Sequence, residues 1–157
     1  MPAWSTRRSF TSGLLGLAVL PAACGGPPTV EAWRDRKCGC CGGWVEHLRA
    51  EGFKVDDKVV DAVAPYRQAL GTPPDLMSCH AGKIGRYVLE GHVPAAAIRR
   101  LLKEAPEGIA GLSVPVMPVG VLGMEVPGSE PSTYDVVAFR HDGAWQPWMR
   151  FRGLKAV

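Results

Sequence analysis

The segment CGCCGGW at residues 38–44 constrains this chain more than any other, because three thiols lie within four positions. Cys38 and Cys41 have the C-x-x-C spacing, which can close a small disulfide or chelate a soft metal through two sulfurs. Cys40 adds a third sulfur that a simple dithiol redox site does not need. A helix that begins near Gly43 would direct its free N–H groups and positive dipole end at these sulfurs and favour thiolate over thiol. The segment therefore indicates a soft-metal or redox site.

The pattern of apolar residues around this segment predicts a single α/β metal-binding domain over residues 29–157. Of the 157 residues, 46% are hydrophobic, which suits one domain with an ordinary core. The order β-α-β-α-β-β-α over residues 29–104 is typical of a thioredoxin-like domain, and residues 105–157 form an extension that ends in a β-hairpin. The predicted elements are strands at 29–34, 53–60, 84–90, 134–139 and 145–151, a strand carrying residues 79–80, and helices at 43–50, 61–70 and 95–104.

This order of elements predicts that a second motif approaches the cysteine segment. In thioredoxin-like folds the C-x-x-C opens the first helix, and a proline before the third strand faces it. Thr72-Pro73-Pro74 occupies that place, and one of its X–Pro bonds can be cis. The strand that follows would bring Cys79 and His80 towards Cys38 and Cys41 despite some forty intervening residues.

The assembled thiols leave more than one interpretation open. A Cys38–Cys41 disulfide suits an oxidising compartment, but it leaves Cys40 and Cys79 unexplained unless they pair with each other or with another chain. A zinc site usually has two C-x-x-C or Cys/His pairs, and one such pair is present. Cu(I) needs two or three soft ligands and can form sulfur-bridged clusters, so the four thiols suit copper best, with a modest lead over a disulfide.

Histidine and methionine are the other candidate donors. His80 directly follows Cys79 and is the histidine best suited to bind metal. His92 lies just before a predicted helix start, where we expect it to cap or pack. Met117 and Met124 flank a Pro/Gly loop, and core packing is favoured for them over thioether ligation.

The N-terminus has the features of an export signal. Residues 1–23 combine Arg7 and Arg8 with a short apolar run and small residues, which predicts a secretory signal peptide of the twin-arginine type, with a general secretory signal as the alternative. Residues 24–28 form a linker. Cys24 resembles the acylated cysteine of a bacterial lipoprotein, and both a lipoprotein and a soluble protein stay open. Either outcome predicts a periplasmic domain.

Charge and composition exclude some classes of function. The formal net charge is +3, and it falls to about +1 without the two arginines of the predicted signal. No stripe of lysine and arginine marks a nucleic-acid surface, so we expect no nucleic-acid partner. The sequence contains no Ser/His/Asp arrangement and no phosphate-binding glycine loop, which leaves hydrolytic chemistry without an apparatus.

Four separated motifs resemble one bacterial family: CGCCGGW at 38–44, SCH at 78–80, EGHVPA at 90–95 and MPVG at 117–120. It is a family of uncharacterised bacterial metal-binding proteins that includes periplasmic copper-resistance proteins of the CopG type. The resemblance covers roughly residues 29–140 and implies a thioredoxin-like fold with a cysteine-bound copper site, which can be a multicopper cluster. The family's site residues fall on Cys38, Cys40, Cys41, Cys79, His80 and Met117 of this chain.

Two functions follow from the sequence. The first is a periplasmic protein for copper resistance or homeostasis that binds Cu(I) and, as the resemblance implies, interconverts Cu(I) and Cu(II) alongside other periplasmic copper-resistance proteins. Whether such copper redox activity makes it an enzyme is left open. The second is a thiol–disulfide oxidoreductase that uses Cys38 and Cys41, for which the middle sulfur of Cys40 would have no role.

Overall fold

The computed structural model describes residues 28–121 and 123–157. The predicted signal peptide, Cys24 and nearly all of the linker therefore lie outside the described residues. The elements are β1 Val30–Asp35, α1 Cys41–Ala50, β2 Val55–Val60, α2 Ala64–Leu70, a 3₁₀ turn Pro74–Leu76, β3 His80–Ile84, β4 Tyr87–Glu90, α3 Ala95–Glu104, β5 Gly111–Ser113, β6 Thr133–Phe139, β7 Trp145–Arg152 and β8 Lys155–Ala156. The prediction of an α/β fold is confirmed.

The eight strands form one sheet in the order β2-β1-β3-β4-β5-β6-β7-β8. β1 and β2 are parallel, and β3 runs antiparallel to both β1 and β4. Arg34 at the end of β1 lies opposite His80 at the start of β3, so the chain enters the cysteine segment beside the second motif. β3 and β4 are separate strands that meet at a turn containing Gly85, which has a positive φ of 57°.

Two helices contribute the predicted apolar faces to the main core. Trp44, Val45 and Leu48 of α1 and Ile98 and Leu101 of α3 are all at most 2% exposed and belong to the same buried cluster. Burying a side chain of this size contributes about 1.5–3 kcal/mol, so the helix at the cysteine segment is fixed by packing along its whole length. Trp44 also donates from Nε1 to the Val93 carbonyl oxygen at 2.9 Å.

Some local predictions were wrong. α1 begins at Cys41 instead of Gly43, with Cys40 as its N-cap, so two of the three cysteines lie at the helix start itself. α2 begins at Ala64, three residues later than predicted. The described part of the chain contains no cis peptide bond, so neither bond in Thr72-Pro73-Pro74 is cis.

The C-terminal part continues the main sheet. β5 pairs parallel with β4 and antiparallel with β6. The sequence pattern did not predict this strand, because its three residues are too few to show a period. β6 and β7 form the predicted hairpin, and β8 pairs only with Phe151 and Arg152 of β7. Pro147 lies opposite Val137 of β6, beside the irregularity between Val136 and Val137, and β8 does not extend to it, so its missing N–H is tolerated there. Among the described residues, no helix is long and apolar enough to cross a membrane.

Candidate metal centre

The cysteine segment is a tight connection between β1 and α1. The Cys38 N–H donates to the Asp35 carbonyl oxygen at 3.0 Å, and the Gly43 N–H donates to the Cys40 carbonyl oxygen at 3.0 Å. Cys41 is completely buried at the first position of α1. All three sulfurs therefore lie at the positive end of the helix dipole, where a negative thiolate is stabilised.

The second motif brings a fourth sulfur to this segment. Cys79 precedes β3, and its sulfur lies within 4.8 Å of the sulfurs of Cys38, Cys40 and Cys41, as the sequence predicted. Cys38 and Cys41 form a disulfide with a Cα–Cα distance of 5.6 Å. Within the described residues, Cys40 and Cys79 are the free thiols, and Cys40 Sγ lies 3.7 Å from Cys38 Sγ.

Two histidines complete a second donor group around the same sulfur. Cys79 Sγ lies 3.2 Å from His80 Nδ1 and 3.5 Å from His92 Nδ1, and the two imidazole rings are 4.9 Å apart. The sequence pointed to His80 but not to His92, which was expected to cap or pack. β4 runs antiparallel to β3, so the residues after β4 return to the start of β3. Gly91, with a positive φ of 70°, makes that return, and this pairing was the signal that could have found His92.

Burial keeps both imidazoles neutral. His80 and His92 are 1% and 2% exposed. Burial lowers the pKa of His80 well below its usual value, with a smaller effect from neighbouring His92, and burial likewise lowers the pKa of His92. Neutral imidazole is the form that binds metals.

The hydrogen bonds indicate which nitrogen of His92 is available. His92 Nε2 lies 3.3 Å from the Cys40 carbonyl oxygen, and a carbonyl can only accept, so Nε2 carries the proton. Nδ1 of His92 therefore directs a lone pair towards Cys79. His80 Nε2 is buried and has no hydrogen-bond partner in the described residues. A buried polar nitrogen without a partner is costly. It is the other ring nitrogen, Nδ1, that faces Cys79 and is placed to bind a metal.

The Cys79 thiol has an unusual environment. Burial, with a further contribution from neighbouring Cys40, raises the pKa of Cys79 to about 12. Without metal this sulfur therefore holds its proton at neutral pH. Its single S–H can donate to only one of the two imidazole nitrogens in reach, His80 Nδ1 and His92 Nδ1. A soft cation would displace the proton and bind the thiolate.

The loop after β5 closes over the cysteine segment. Val121 is 2% exposed, and Gly123 approaches Cys40 so closely that a Cβ at position 123 would lie 2.5 Å from the Cys40 carbonyl oxygen. Gly123 also has a positive φ of 84°, which favours glycine. Met124 is partly buried against the main core, which agrees with packing.

Met117 belongs to the outer part of the same loop. Its side chain is 53% exposed and lines a surface cavity together with Tyr134 of β6 and Trp145 of β7. Its role as a copper ligand stays a prediction.

The residues present fit a soft, thiophilic metal ion. Four sulfurs and two neutral imidazoles form two overlapping donor groups, Cys38-Cys40-Cys41-Cys79 and Cys79-His80-His92, which share Cys79. Thiolates with imidazoles are donors for copper and zinc, whereas hard cations prefer oxygen. The cysteine cluster could therefore bind metal.

Comparisons with known proteins agree with this donor chemistry. Two solved structures are similar, "Copper resistance protein copG- Form 1" and "Form 2", each with 39% sequence identity and a TM-score of 0.73. The first alignment covers 82% of this chain and 100% of that chain, and the second covers 80% and 99%. The model of a family described as "Protein of unknown function, DUF411" matches residues 76–124. No curated protein matches the chain.

The fold and the site thus define an α/β protein with a cluster of cysteines and histidines that could bind metal. The chain belongs to the CopG-like copper-resistance family, and the resemblance seen in the sequence motifs is confirmed. These comparisons do not favour the alternative of a thiol–disulfide oxidoreductase that uses Cys38 and Cys41.

Proposed function

We propose that this protein binds Cu(I) as its cargo for copper resistance or homeostasis in the periplasm. The observation that carries the proposal is the convergence of three other cysteine sulfurs and two neutral, buried imidazoles on the Cys79 sulfur. Cu(I) binds well with two or three soft ligands, so this donor set can hold more than one ion in a thiolate-bridged cluster. The similar proteins named for copper resistance support copper over zinc.

We assign the seven strands and helices from β1 to α3, leaving aside the 3₁₀ turn, to a thioredoxin-like fold. The parallel β1–β2 pair, the antiparallel β3 and β4 and the cysteines at the start of α1 support this assignment. Such a fold delivers the sulfurs to a helix N-terminus, where developing negative charge on thiolates is stabilised. The remaining strands extend the sheet and supply the loop that carries Gly123 and Met117.

We also propose that the site reduces Cu(II) to Cu(I), which is one direction of the interconversion that the family resemblance implies. Oxidation of the Cys38 and Cys41 thiols to their disulfide releases two electrons and two protons, which reduces two Cu(II) ions to two Cu(I) ions. The short connection that holds both cysteines supports this step, because the disulfide is present while α1 keeps all of its turns from Cys41 to Ala50. In this role the protein would work beside other periplasmic copper-resistance proteins. The predicted signal peptide and the possible lipid attachment at Cys24 are part of the same proposal.

The proposed function is tested by the variant Cys79→Ser. Cu(I) affinity is measured anaerobically on the reduced protein by competition with the chromophoric chelator bathocuproine disulfonate. Because Cys79 belongs to both donor groups, we expect the variant to weaken the tightest copper site by orders of magnitude, or about 3 kcal/mol for each hundredfold. Ser132→Ala is the control, since Ser132 bonds the Val119 N–H in the outer loop. Unchanged affinity in Cys79→Ser would remove Cys79 from the site and contradict the proposal.

A further inference from the structure

A buried carboxylate lies directly behind the Cys79 motif. Glu90, at the end of β4, is completely buried, and four donor groups from three residues contact its two oxygens. Arg67 Nε contacts Oε1 at 3.0 Å and Oε2 at 3.1 Å, and Arg67 Nη2 lies 2.9 Å from Oε1. Thr72 Oγ1 donates to Oε2 at 3.1 Å, and the Ser78 N–H donates to Oε1 at 2.8 Å.

The same arginine also holds the other side of Ser78. Arg67 Nη2 donates to the Ser78 carbonyl oxygen at 2.6 Å. That carbonyl belongs to the peptide bond that joins Ser78 to Cys79, so the orientation of this peptide is set by the guanidinium. Ser78 thus has its N–H bonded to Glu90 and its carbonyl bonded to Arg67, immediately before the residue that both donor groups share.

A third contact confines Ser78 from the opposite direction. A Cβ built on Gly91 would lie 2.7 Å from Ser78 Oγ and 2.8 Å from Ser78 Cβ, so the turn after β4 packs closely against Ser78. Ser78 is therefore held both by Gly91, in the turn that carries His92, and by the carboxylate of Glu90, the last residue of β4. The position of the Cys79 sulfur and that of the His92 ring therefore both depend on the packing around Ser78.

The placement of Arg67 indicates that this ion pair has a use beyond packing. None of the residues of α2 is fully buried, and Arg67 is the residue of α2 that reaches the buried carboxylate, with 13% of its side chain exposed. A buried ion pair carries a large desolvation cost and often stabilises a fold less than apolar residues would. Its benefit here is the fixed direction of its hydrogen bonds, which an apolar pair would lack.

We propose that Arg67 and Glu90 are positioning residues that fix the Ser78–Cys79 peptide and so hold the Cys79 sulfur among the three other cysteine sulfurs and the two histidines. Within the described residues, the side chains of Arg67 and Glu90 bond to each other, to Thr72 and to Ser78, and to no sulfur. The inference rests on the proposed function where it concerns copper, but the positioning of Cys79 itself can be measured without copper.

The test is the rate at which iodoacetamide alkylates Cys79 in the metal-free protein, in the variant Arg67→Lys. Lysine keeps the charge but lacks the fork that contacts Glu90 and the Ser78 carbonyl together. Trypsin places Cys79 in the peptide 68–83 and Cys40 in the peptide 38–49, so mass spectrometry follows each thiol separately. We expect alkylation of Cys79 to accelerate about tenfold, as the loss of one charge-assisted hydrogen bond implies, while Cys40 keeps its rate.

Tyr134→Phe is the matched control for general loosening. The Tyr134 hydroxyl donates a buried hydrogen bond to the Gly153 carbonyl oxygen at 2.9 Å, in the C-terminal part of the sheet. Its loss costs stability without touching Ser78, so the Cys79 rate should not change. An unchanged Cys79 rate in Arg67→Lys, or an equal acceleration in the control, would overturn the proposal. If Arg67→Lys does not fold, Glu90→Gln is judged by the same criteria.

Copper binding separates this inference from the proposed function. In Arg67→Lys we expect the Cu(I) affinity to fall about tenfold and the emission of the Cu(I)–thiolate centre to shift, with neither change in Tyr134→Phe. If Cys79→Ser keeps full copper affinity, the proposed function fails, and the alkylation rates still decide the positioning role. If Arg67→Lys accelerates the alkylation of Cys79 but leaves the Cu(I) affinity and the emission unchanged, Arg67 positions Cys79 for something other than copper. The claim that this positioning serves copper binding would then be overturned.

Discussion

Replacing Gly91 by alanine perturbs the point where the histidine-bearing turn packs against the Cys79 motif. Gly91 has a φ of 70°, and a Cβ there would lie 2.6 Å from the Val114 carbonyl oxygen and 2.7 Å from Ser78 Oγ. The left-handed conformation costs a non-glycine residue about 1–2 kcal/mol, and forcing a methyl group into a packed interior adds about 1–3 kcal/mol. We therefore expect Gly91→Ala to lower the free energy of unfolding by about 2–5 kcal/mol.

Gly85→Ala provides a control on the other end of the same strand. Gly85 has a φ of 57°, and no atom of the described chain lies within 4 Å of where its Cβ would be. It should cost only the conformational part, about 1–2 kcal/mol. The gain from a less flexible unfolded chain is the same in both variants and cancels in the comparison.

The assay is urea unfolding of the metal-free protein, with the midpoint and slope measured for both variants. A larger loss in Gly91→Ala at an unchanged slope is the predicted result. Equal losses in the two variants would refute the reasoning, because the close approach to Ser78 and Val114 would then contribute nothing.

Three further predictions concern the site. Burial lowers the pKa of His80 and His92 in the folded state below their unfolded value, so the two rings contribute their full stability above about pH 6.5. The urea midpoint of the metal-free protein should therefore fall as the pH is lowered from there towards the folded-state pKa values. A midpoint that rises on acidification over this range would contradict the prediction. His92→Gln should weaken Cu(I) binding about tenfold or more in chelator competition, whereas His141→Gln at the exposed hairpin turn should not, and equal affinities would remove His92 from the site. Gly123→Ala should displace the loop at Cys40 and weaken copper binding in the same competition assay. Gly143→Ala is the control, because Gly143 has the same φ of 84° with open space around it, and its copper affinity should not change. Equal copper affinities in the two variants would argue against the contact between Gly123 and Cys40.

The parts of this fold that the sequence predicted are those with a repeating pattern or a dense motif. The apolar stripes of α1 and α3 have the helical period, and the helices lie where the stripes do. The approach of Cys79 to Cys38 and Cys41 followed from the order of elements, because a strand after the second helix returns to the sheet beside β1. Length and periodicity thus determined most of the architecture.

The parts that sequence reasoning missed depend on contacts between distant positions. Arg67 is an unremarkable charge on an exposed helix until Glu90 is known to lie buried beneath it. From the sequence, His92 was expected to cap or pack, and only the pairing of β3 with β4 shows that it lies at the start of β3. β5 has three residues and shows no period, so its pairing with β4 could not be predicted from the sequence.

The central claim is tested most directly by copper content and thiol titre. The domain without its signal segment is purified anaerobically from copper-supplemented cells, and copper per chain is measured together with reactive thiols before and after a chelator removes the metal. We predict several copper ions per chain, with the thiols of Cys38, Cys40, Cys41 and Cys79 unreactive until the copper is removed. A copper-free protein with a Cys38–Cys41 disulfide and two reactive thiols would contradict the account.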